Sequence, residues 1–243
     1  MGAILIHGVP DTFRVWNPVI DRLARKDITA LALPGFDAPL PAGFKATKEE
    51  YVAWIVERLE REPEPVDLVG HDWGCILTAR VASLRPDLVR TWAGGGAPIH
   101  KDYVWHPLAK IYQTPGAGED YLRQLDPGQT RQRLESFGVP SAYAAEAVQH
   151  MDDRMKECML RLYRSAVTVG AEWQADLKHA SCPSMVLWGA KDHACPVAFA
   201  DLLAADLKAT RVVKLDTGHW FELEKPEDVA TALEEHWAHP NVP

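Results

Sequence analysis

Short apolar runs alternate with amphipathic stretches along the first hundred residues of the chain. The runs typical of buried strands are residues 3–6, 29–33, 66–69 and 88–93. Between the second and third runs, residues 51–60 carry apolar side chains at helical spacing. Continuous apolar strands separated by helices are typical of a mostly parallel sheet that is covered on both faces. The pattern therefore predicts an α/β fold.

The alternation stops between residues 97 and 178 and then resumes. Within this interval the sequence predicts helices, separated by Pro and Gly, at residues 129–137, 141–150 and 154–169. Strand-like runs return at residues 184–187 and 211–215, which gives a sheet of about six strands. We therefore predict a core built from residues 1–96 and 179–243. Residues 97–178 form a helical cap inserted at the carboxyl end of the sheet, above the expected site.

The third apolar run leads directly into Gly70-His71-Asp72-Trp73-Gly74. A strand, a tight turn flanked by glycines and a helix are typical of a nucleophile elbow, which holds its central side chain above the sheet. An aspartate at this position is ionised at neutral pH and needs no base before it attacks carbon. That chemistry suits an sp3 carbon with a leaving group, such as an epoxide or a carbon–halogen bond, rather than an amide.

Two later strands end in side chains that complete this site. Asp192 follows the run at 184–187, and His219 follows the run at 211–215. The chain order Asp72, Asp192, His219 is the order nucleophile, acid, histidine of hydrolases with this kind of elbow. We predict that Asp72 forms an ester with the substrate. His219, polarised by Asp192, then activates the water that hydrolyses the ester.

A fourth segment, His7-Gly8-Val9-Pro10, follows the first strand. We predict that the backbone N–H groups of Val9 and Trp73 form an oxyanion hole for the tetrahedral intermediate, where fixed donors stabilise developing negative charge.

With these motifs the chain resembles the α/β-hydrolase superfamily over nearly its full length, and within it the branch of epoxide hydrolases and haloalkane dehalogenases. Residues 111–119 are similar to the epoxide hydrolase pattern Tyr-x-Gln-x-Pro-Gly-x-x-Glu, with one residue fewer before Pro-Gly. Residues 162–164, Leu-Tyr-Arg, are similar to the family's Trp-Tyr-Arg. The resemblance implies that Tyr112 and Tyr163 donate hydrogen bonds to the epoxide oxygen and that the product is a vicinal diol.

The resemblance also bears on the edge of the sheet. The chain starts at the strand that is usually third in this fold, so the customary first hairpin is expected to be missing. An uncovered strand edge invites pairing with another chain, so we expect that a homodimer can form through this edge.

Two alternative functions remain open from the sequence. A haloalkane or haloacid dehalogenase would use the same nucleophile, but it needs two N–H donors for the halide. Trp73 can supply one, and Trp105 or Trp173 in the cap would have to supply the other; both are also expected to line the substrate pocket. A non-catalytic ligand receptor of the same fold is less favoured, because a receptor does not need Asp72, Asp192 and His219 together.

Composition narrows the partners to a small-molecule substrate. The net charge of -8 argues against a nucleic-acid partner. No apolar run approaches the roughly 18 residues of a membrane helix, and no signal peptide is recognisable, so a cytoplasmic location is expected. The four cysteines and the histidines show no spacing typical of a metal site, and no cofactor is expected.

Overall fold

A sheet of six parallel strands forms the centre of the molecule in the computed structural model, which describes residues 2–240. The strands are β1 (Ala3–Ile6), β2 (Ile28–Leu31), β3 (Val66–His71), β4 (Val89–Gly95), β5 (Ser184–Gly189) and β6 (Arg211–Leu215), in the order β2-β1-β3-β4-β5-β6. The predicted parallel α/β sheet is therefore confirmed. Strand β3 continues two residues beyond the predicted end, because its ladder with β4 extends to the pair His71 and Gly95.

The described chain has twelve α-helices, of which the last two follow the final strand. They are α1 (Asn17–Ile20), α2 (Lys48–Leu59), α3 (Trp73–Leu84), α4 (Pro107–Gln113), α5 (Ala117–Arg123), α6 (Pro127–Ser136), α7 (Ser141–His150), α8 (Asp153–Ser165), α9 (Val169–Trp173), α10 (Ala198–Leu207), α11 (Phe221–Glu224) and α12 (Pro226–Ala238). Short 3-10 helices occupy Phe13–Trp16, Pro86–Leu88 and Gln174–His179. Helix α2 begins three residues before the predicted start, since the Thr47 hydroxyl accepts a hydrogen bond from the Glu50 N–H and caps its first turn.

Alternate residues of the strands pack into two separate apolar clusters, one on each face of the sheet. In β1, Ile4 and Ile6 belong to one cluster, whereas Ala3 and Leu5 belong to the other. Both faces are covered, so every position of a central strand needs an apolar side chain. This explains why the strands appear in the sequence as continuous apolar runs.

The segment between β4 and β5 is helical and contains α4 to α9. Helix α7 has the predicted bounds, whereas α8 ends at Ser165 rather than at residue 169. Lys48, at the start of α2, links the core to the C-terminal part of this helical segment. Its ammonium group donates to the Ser165 carbonyl oxygen at 2.7 Å and lies 2.8 Å from the Glu172 carboxylate. The division into core and cap stays a prediction, and its limits at residues 1 and 243 lie outside the described residues.

Strand β2 forms one edge of the sheet. Thr29 on this strand is exposed, and Ile28 and Ala30 are half-buried. The expected homodimer through this edge stays a prediction. Within residues 2–240, no helix combines the length and apolar character needed to span a bilayer, and the cytoplasmic location also stays a prediction.

Candidate active site

Asp72 lies at the turn between β3 and α3 in a backbone conformation that few residues adopt. Its φ is 51° and its ψ is -123°, a combination that costs conformational energy in a non-glycine residue. The surrounding backbone leaves no room for side chains at the flanking glycines. A Cβ at Gly70 would lie 2.3 Å from the Gly74 oxygen, and one at Gly74 would lie 2.3 Å from the Ile6 oxygen. The Gly-x-x-x-Gly spacing is therefore what permits this turn.

The carboxylate of Asp72 meets the loop that follows β1. The Val9 N–H donates to Asp72 Oδ1 at 2.9 Å. Gly8 permits this approach, because a Cβ there would lie 2.6 Å from the Cβ of Asp72. Trp73 is the first residue of α3, so its N–H has no acceptor within the helix, and the helix N-terminus favours negative charge. The two predicted oxyanion donors thus adjoin the carboxylate.

Asp72, His219 and Asp192 form a continuous chain of contacts. His219 Nε2 lies 3.7 Å from Asp72 Oδ2, and His219 Nδ1 lies 2.7 Å from Asp192 Oδ2. The second oxygen of Asp192 accepts hydrogen bonds from the N–H groups of Ala194 at 2.9 Å and Cys195 at 2.8 Å. These bonds fix the orientation of the carboxylate and, through it, that of the imidazole.

The two carboxylates determine the charge of His219. Burial lowers its pKa, but the charge and hydrogen bond of Asp192 and the charge of Asp72 outweigh burial and raise the pKa to about 10. Burial acts against ionisation of Asp192 as well, and the pKa of Asp192 is nevertheless lowered by the charge and hydrogen bond of His219. At neutral pH the free site therefore holds an imidazolium between two carboxylates.

Tyr163 on α8 lies against the residue that follows Asp72. Its ring meets the Trp73 indole edge-on, with centroids 4.9 Å apart. Burial raises the pKa of Tyr163 well above the usual value, the charge of Asp72 raises it further, and a hydrogen bond with Trp73 opposes both. The phenol consequently stays protonated at neutral pH and can act as a donor.

Tyr112 on α4 lies one ring further from the carboxylate. It contacts Tyr163 edge-on at 5.2 Å and Tyr121 at 5.9 Å. Burial and Tyr121 raise the pKa of Tyr112, while Arg133 lowers it. The structure thus brings Tyr163 against the residue that follows Asp72 and leaves Tyr112 one ring further away. The predicted role of both phenols at an epoxide oxygen stays a prediction.

The two predicted pocket tryptophans lie in different surroundings. Trp105 stacks on Trp73 with centroids 5.7 Å apart and an interplanar angle of 20°, and its indole N–H donates to the Val167 oxygen at 3.2 Å. Trp173 instead packs against two cations, 5.4 Å from Lys48 Nζ and 5.3 Å from the Arg80 guanidinium carbon. Trp105 therefore lies at the elbow and Trp173 at the attachment of α2, and the role of both side chains in a substrate pocket stays a prediction.

A family model described as the alpha/beta hydrolase family matches residues 3–232. The chain belongs to the alpha/beta hydrolase family. This α/β hydrolase is 26% identical over 242 residues to (E)-2-((N-methylformamido)methylene)succinate hydrolase of Acinetobacter baylyi, covering 95% of this chain and 88% of the relative. It is 23% identical over 300 residues to epoxide hydrolase A of Mycobacterium tuberculosis, with the same coverage of 95% and 88%.

A solved structure supports the fold. The crystal structure of haloalkane dehalogenase DbeA from Bradyrhizobium elkani superimposes with a TM-score of 0.78 at 21% identity, covering 98% of this chain and 91% of that chain. At this identity the similarity shows the shared fold and leaves the reaction open.

The geometry adds residues that sequence reasoning did not assign to the site of this α/β hydrolase. Glu222 is fully buried beside His71, directly behind the His219 loop. Nothing in the sequence marks this glutamate, because a charged residue on a short helix is usually exposed. The charges of Asp72 and Asp192 raise the pKa of His106, but burial has the larger effect and the net change is downward. The Nδ1 atom of His106 accepts a hydrogen bond from the Ala109 N–H and so caps α4.

One set of possible metal ligands overlaps this site in the described part of the chain. The ligand atoms of Asp192, Cys195 and His219 lie within 4.8 Å of one another. A metal ion would have to displace the proton that His219 shares with Asp192. It would also have to displace the proton of a thiol whose pKa is raised well above the usual value by burial and the nearby carboxylates. The set is therefore better suited to holding a proton than a cation.

Proposed function

We propose that this α/β hydrolase opens epoxides to vicinal diols through an ester on Asp72. The observation that carries the proposal is a carboxylate at the elbow whose neighbour, Trp73, packs against the buried phenol of Tyr163. Asp72 occupies the strained turn with its charge facing Val9 and His219, and the protonated Tyr163 feels that charge. A carboxylate nucleophile and an acidic donor are the two groups that ring opening of an epoxide requires.

In the proposed first step, an oxygen of Asp72 attacks one epoxide carbon. The C–O bond of the ring breaks, and its electron pair goes to the ring oxygen, which takes the proton of the Tyr163 phenol. The His219 imidazolium then returns a proton to the phenolate and becomes neutral. Esterification favours this transfer, because it removes the Asp72 charge that helps to hold the proton on His219.

In the proposed second step, neutral His219 takes one proton from water, and the hydroxide attacks the carboxyl carbon of Asp72. The Val9 and Trp73 N–H groups stabilise the resulting oxyanion. When the intermediate collapses, the departing alkoxide takes the proton from His219 and leaves as the diol. The carboxylic acid of Asp72 returns the last water proton to His219, which restores the starting charges.

The hydrogen bond of one tryptophan favours epoxide over halide chemistry. The Trp105 indole N–H already donates to the Val167 oxygen. A departing halide would have to replace this partner. An alkoxide, in contrast, is basic enough to take a proton from a phenol. The named activity of the Mycobacterium tuberculosis relative agrees with the proposal.

The proposal is tested by supplying a terminal epoxide and a bromoalkane of the same carbon skeleton. We expect diol from the epoxide and no bromide release from the haloalkane. In one turnover in water enriched in heavy oxygen, the label should enter the Asp72 carboxylate, because water attacks the ester carbonyl.

The control is Asp72→Ala, which should abolish turnover and keep the circular dichroism spectrum of the parent. Bromide release without diol formation would replace the epoxide assignment by a dehalogenase. Label that appears in the diol after one turnover, with none in the protein, would rule out the ester.

A further inference from the structure

His71 is held between two oxygen atoms immediately behind the candidate site. Its Nδ1 lies 2.9 Å from Glu222 Oε1, and its Nε2 lies 2.9 Å from the backbone oxygen of His219. The side chains of His71 and Glu222 are both 0% exposed. The pair therefore joins the elbow to α11 without access to solvent.

The two neighbours of the ring determine its protonation state. A carbonyl oxygen and a carboxylate are both acceptors, whereas a neutral imidazole has only one N–H. Both nitrogens can direct a proton at the acceptor they face only when His71 is an imidazolium. Burial lowers the pKa of His71, but the charge and the hydrogen bond of Glu222, together with the charge of Asp72, raise it, and the net change is upward.

Other ionisable groups also face His71 from neighbouring elements. They are His7, Asp11, Asp72 and His219. His7 adds no charge at neutral pH, since burial lowers its pKa to about 4. Burial, with Glu222 and Asp72, raises the pKa of Asp11 to about 6, although His71 and His219 act in the other direction. At neutral pH the neighbours that remain charged are therefore mainly carboxylates, which favour the imidazolium form of His71.

The buried carboxylate of Glu222 depends on the positive charge of His71 for its stability. In the part of the chain that the structure describes, neither of its oxygens has a hydrogen-bond partner of good geometry, so the close contact with His71 is its main compensation. A buried carboxylate without a compensating charge is strongly unfavourable, and each member of the pair therefore requires the other.

The ring of His71 is also fixed in position by packing. A Cβ at Gly96 would lie 3.0 Å from its atoms, and its centroid lies 4.9 Å from those of His219 and Phe221. His219 is consequently held at two points, at Nδ1 by Asp192 and at its backbone oxygen by His71.

We propose that His71 and Glu222 form a buried imidazolium–carboxylate pair that positions His219 for hydrolysis of the Asp72 ester. His71 and Glu222 are positioning residues, because they act through the His219 backbone and do not touch the reacting atoms. The kinetic part of this inference rests on the proposed function, whereas the charge state of His71 does not.

The pair should affect the two chemical steps differently. Ring opening uses Asp72 and Tyr163, but hydrolysis of the ester requires a correctly placed His219. Glu222→Gln keeps the shape of the side chain and removes its charge. We expect this change to slow ester hydrolysis roughly 10- to 100-fold, the range for losing a hydrogen bond to a charged group. Slower hydrolysis lowers kcat and KM together and leaves kcat/KM unchanged, whereas a partly unfolded enzyme loses kcat at constant KM.

The charge of His71 can be measured without any substrate. In 15N-labelled protein at neutral pH, the histidine spectrum should show both nitrogens of His71 protonated, with the signals assigned by their loss in His71→Gln. In Glu222→Gln one of the two N–H signals should disappear. The matched control is Glu227→Gln, an exposed glutamate on α12, which should leave the spectrum and both kinetic constants unchanged.

A neutral His71 in the parent protein would show that the imidazolium–carboxylate pair does not exist. A Glu222→Gln enzyme with the kcat and KM of the parent would show that the pair does not position His219. The double variant His71→Gln/Glu222→Gln should be more stable to heat than either single variant, because two amides replace an unpaired buried charge. This comparison tests the pair even if a single variant folds poorly. If no epoxide is turned over but His71 is doubly protonated, the proposed function fails and the pair stands.

Discussion

At the scale of single residues, the aspartate at the elbow changes what the histidine has to do. A serine at this position would have to lose a proton before it could attack, whereas a carboxylate nucleophile, the role proposed for Asp72, needs no base. His219 is accordingly an imidazolium in the free protein, with a pKa raised to about 10 by the two carboxylates against the effect of burial. In the proposed reaction it becomes a base only after the ester has formed.

This order of events predicts the behaviour of His219→Gln. The variant should still form the ester, because Asp72 attacks without a base, but it should hydrolyse the ester very slowly. Intact-protein mass spectrometry after mixing with an epoxide should show a gain equal to the mass of the substrate. A variant that neither turns over nor gains mass would contradict the proposed division of roles.

At the scale of elements, α4 and α8 bring phenols towards the elbow to different depths. Helix α8 packs Tyr163 against Trp73, whereas α4 reaches only the far side of the Tyr163 ring. The ion pair of Lys48 with Glu172 and its hydrogen bond to Ser165 hold the end of α8 on the core. Tyr163 is therefore held by its own contact with Trp73 and by the attachment of its helix, α8, to Lys48.

The two tyrosines should consequently respond differently to loss of the hydroxyl. Tyr163→Phe should slow ester formation by roughly 10- to 1,000-fold, as when one oxyanion donor is removed. Tyr112→Phe serves as the matched control and should slow it by less than about 10-fold, the range for one neutral hydrogen bond. Stopped-flow measurement of the first step distinguishes the two. Equal effects of both changes would mean that Tyr112 also reaches the substrate.

At the scale of the whole molecule, the buried histidines connect the site to folding stability. The pKa of His219 is raised from 6.5 to about 10, so its stabilising contribution is complete below about pH 6.5 and is lost as the pH rises towards 10. The pKa of His7 is lowered to about 4, so its contribution is present above about pH 6.5 and is lost as the pH falls towards 4. The two effects together favour maximal stability near neutral pH.

We therefore expect the free energy of unfolding, measured with urea, to fall between pH 6.5 and pH 10. Each unit of pKa difference contributes about 1.4 kcal/mol. His219→Gln should flatten this alkaline decline, because it removes the group whose proton is lost. His179→Gln, a change at an exposed histidine, should leave the decline as in the parent. An equally steep decline in His219→Gln would show that other groups cause it.

The sequence by itself determined the features that depend on neighbours along the chain. Continuous apolar runs predicted the parallel strands, because a strand covered on both faces needs apolar side chains at every position. The elbow at Asp72 was predictable for the same local reason, since only glycine fits at Gly70 and Gly74 in so tight a turn. The short helices α4 and α5 were not predicted, because seven residues carry too little periodicity to distinguish a helix from a loop.

Only the tertiary structure decided which distant groups meet. The sequence gives no reason to rank Tyr163 above Tyr112, and packing of α8 on the elbow is what places Tyr163 against Trp73. The burial of Glu222 depends likewise on contacts far away in the chain. It lies on a short helix that also carries Glu224, and its partner His71 lies on β3, far away along the chain. Periodicity reports which face of an element is buried, but the pairing of charges inside the core is set by the three-dimensional arrangement of those elements.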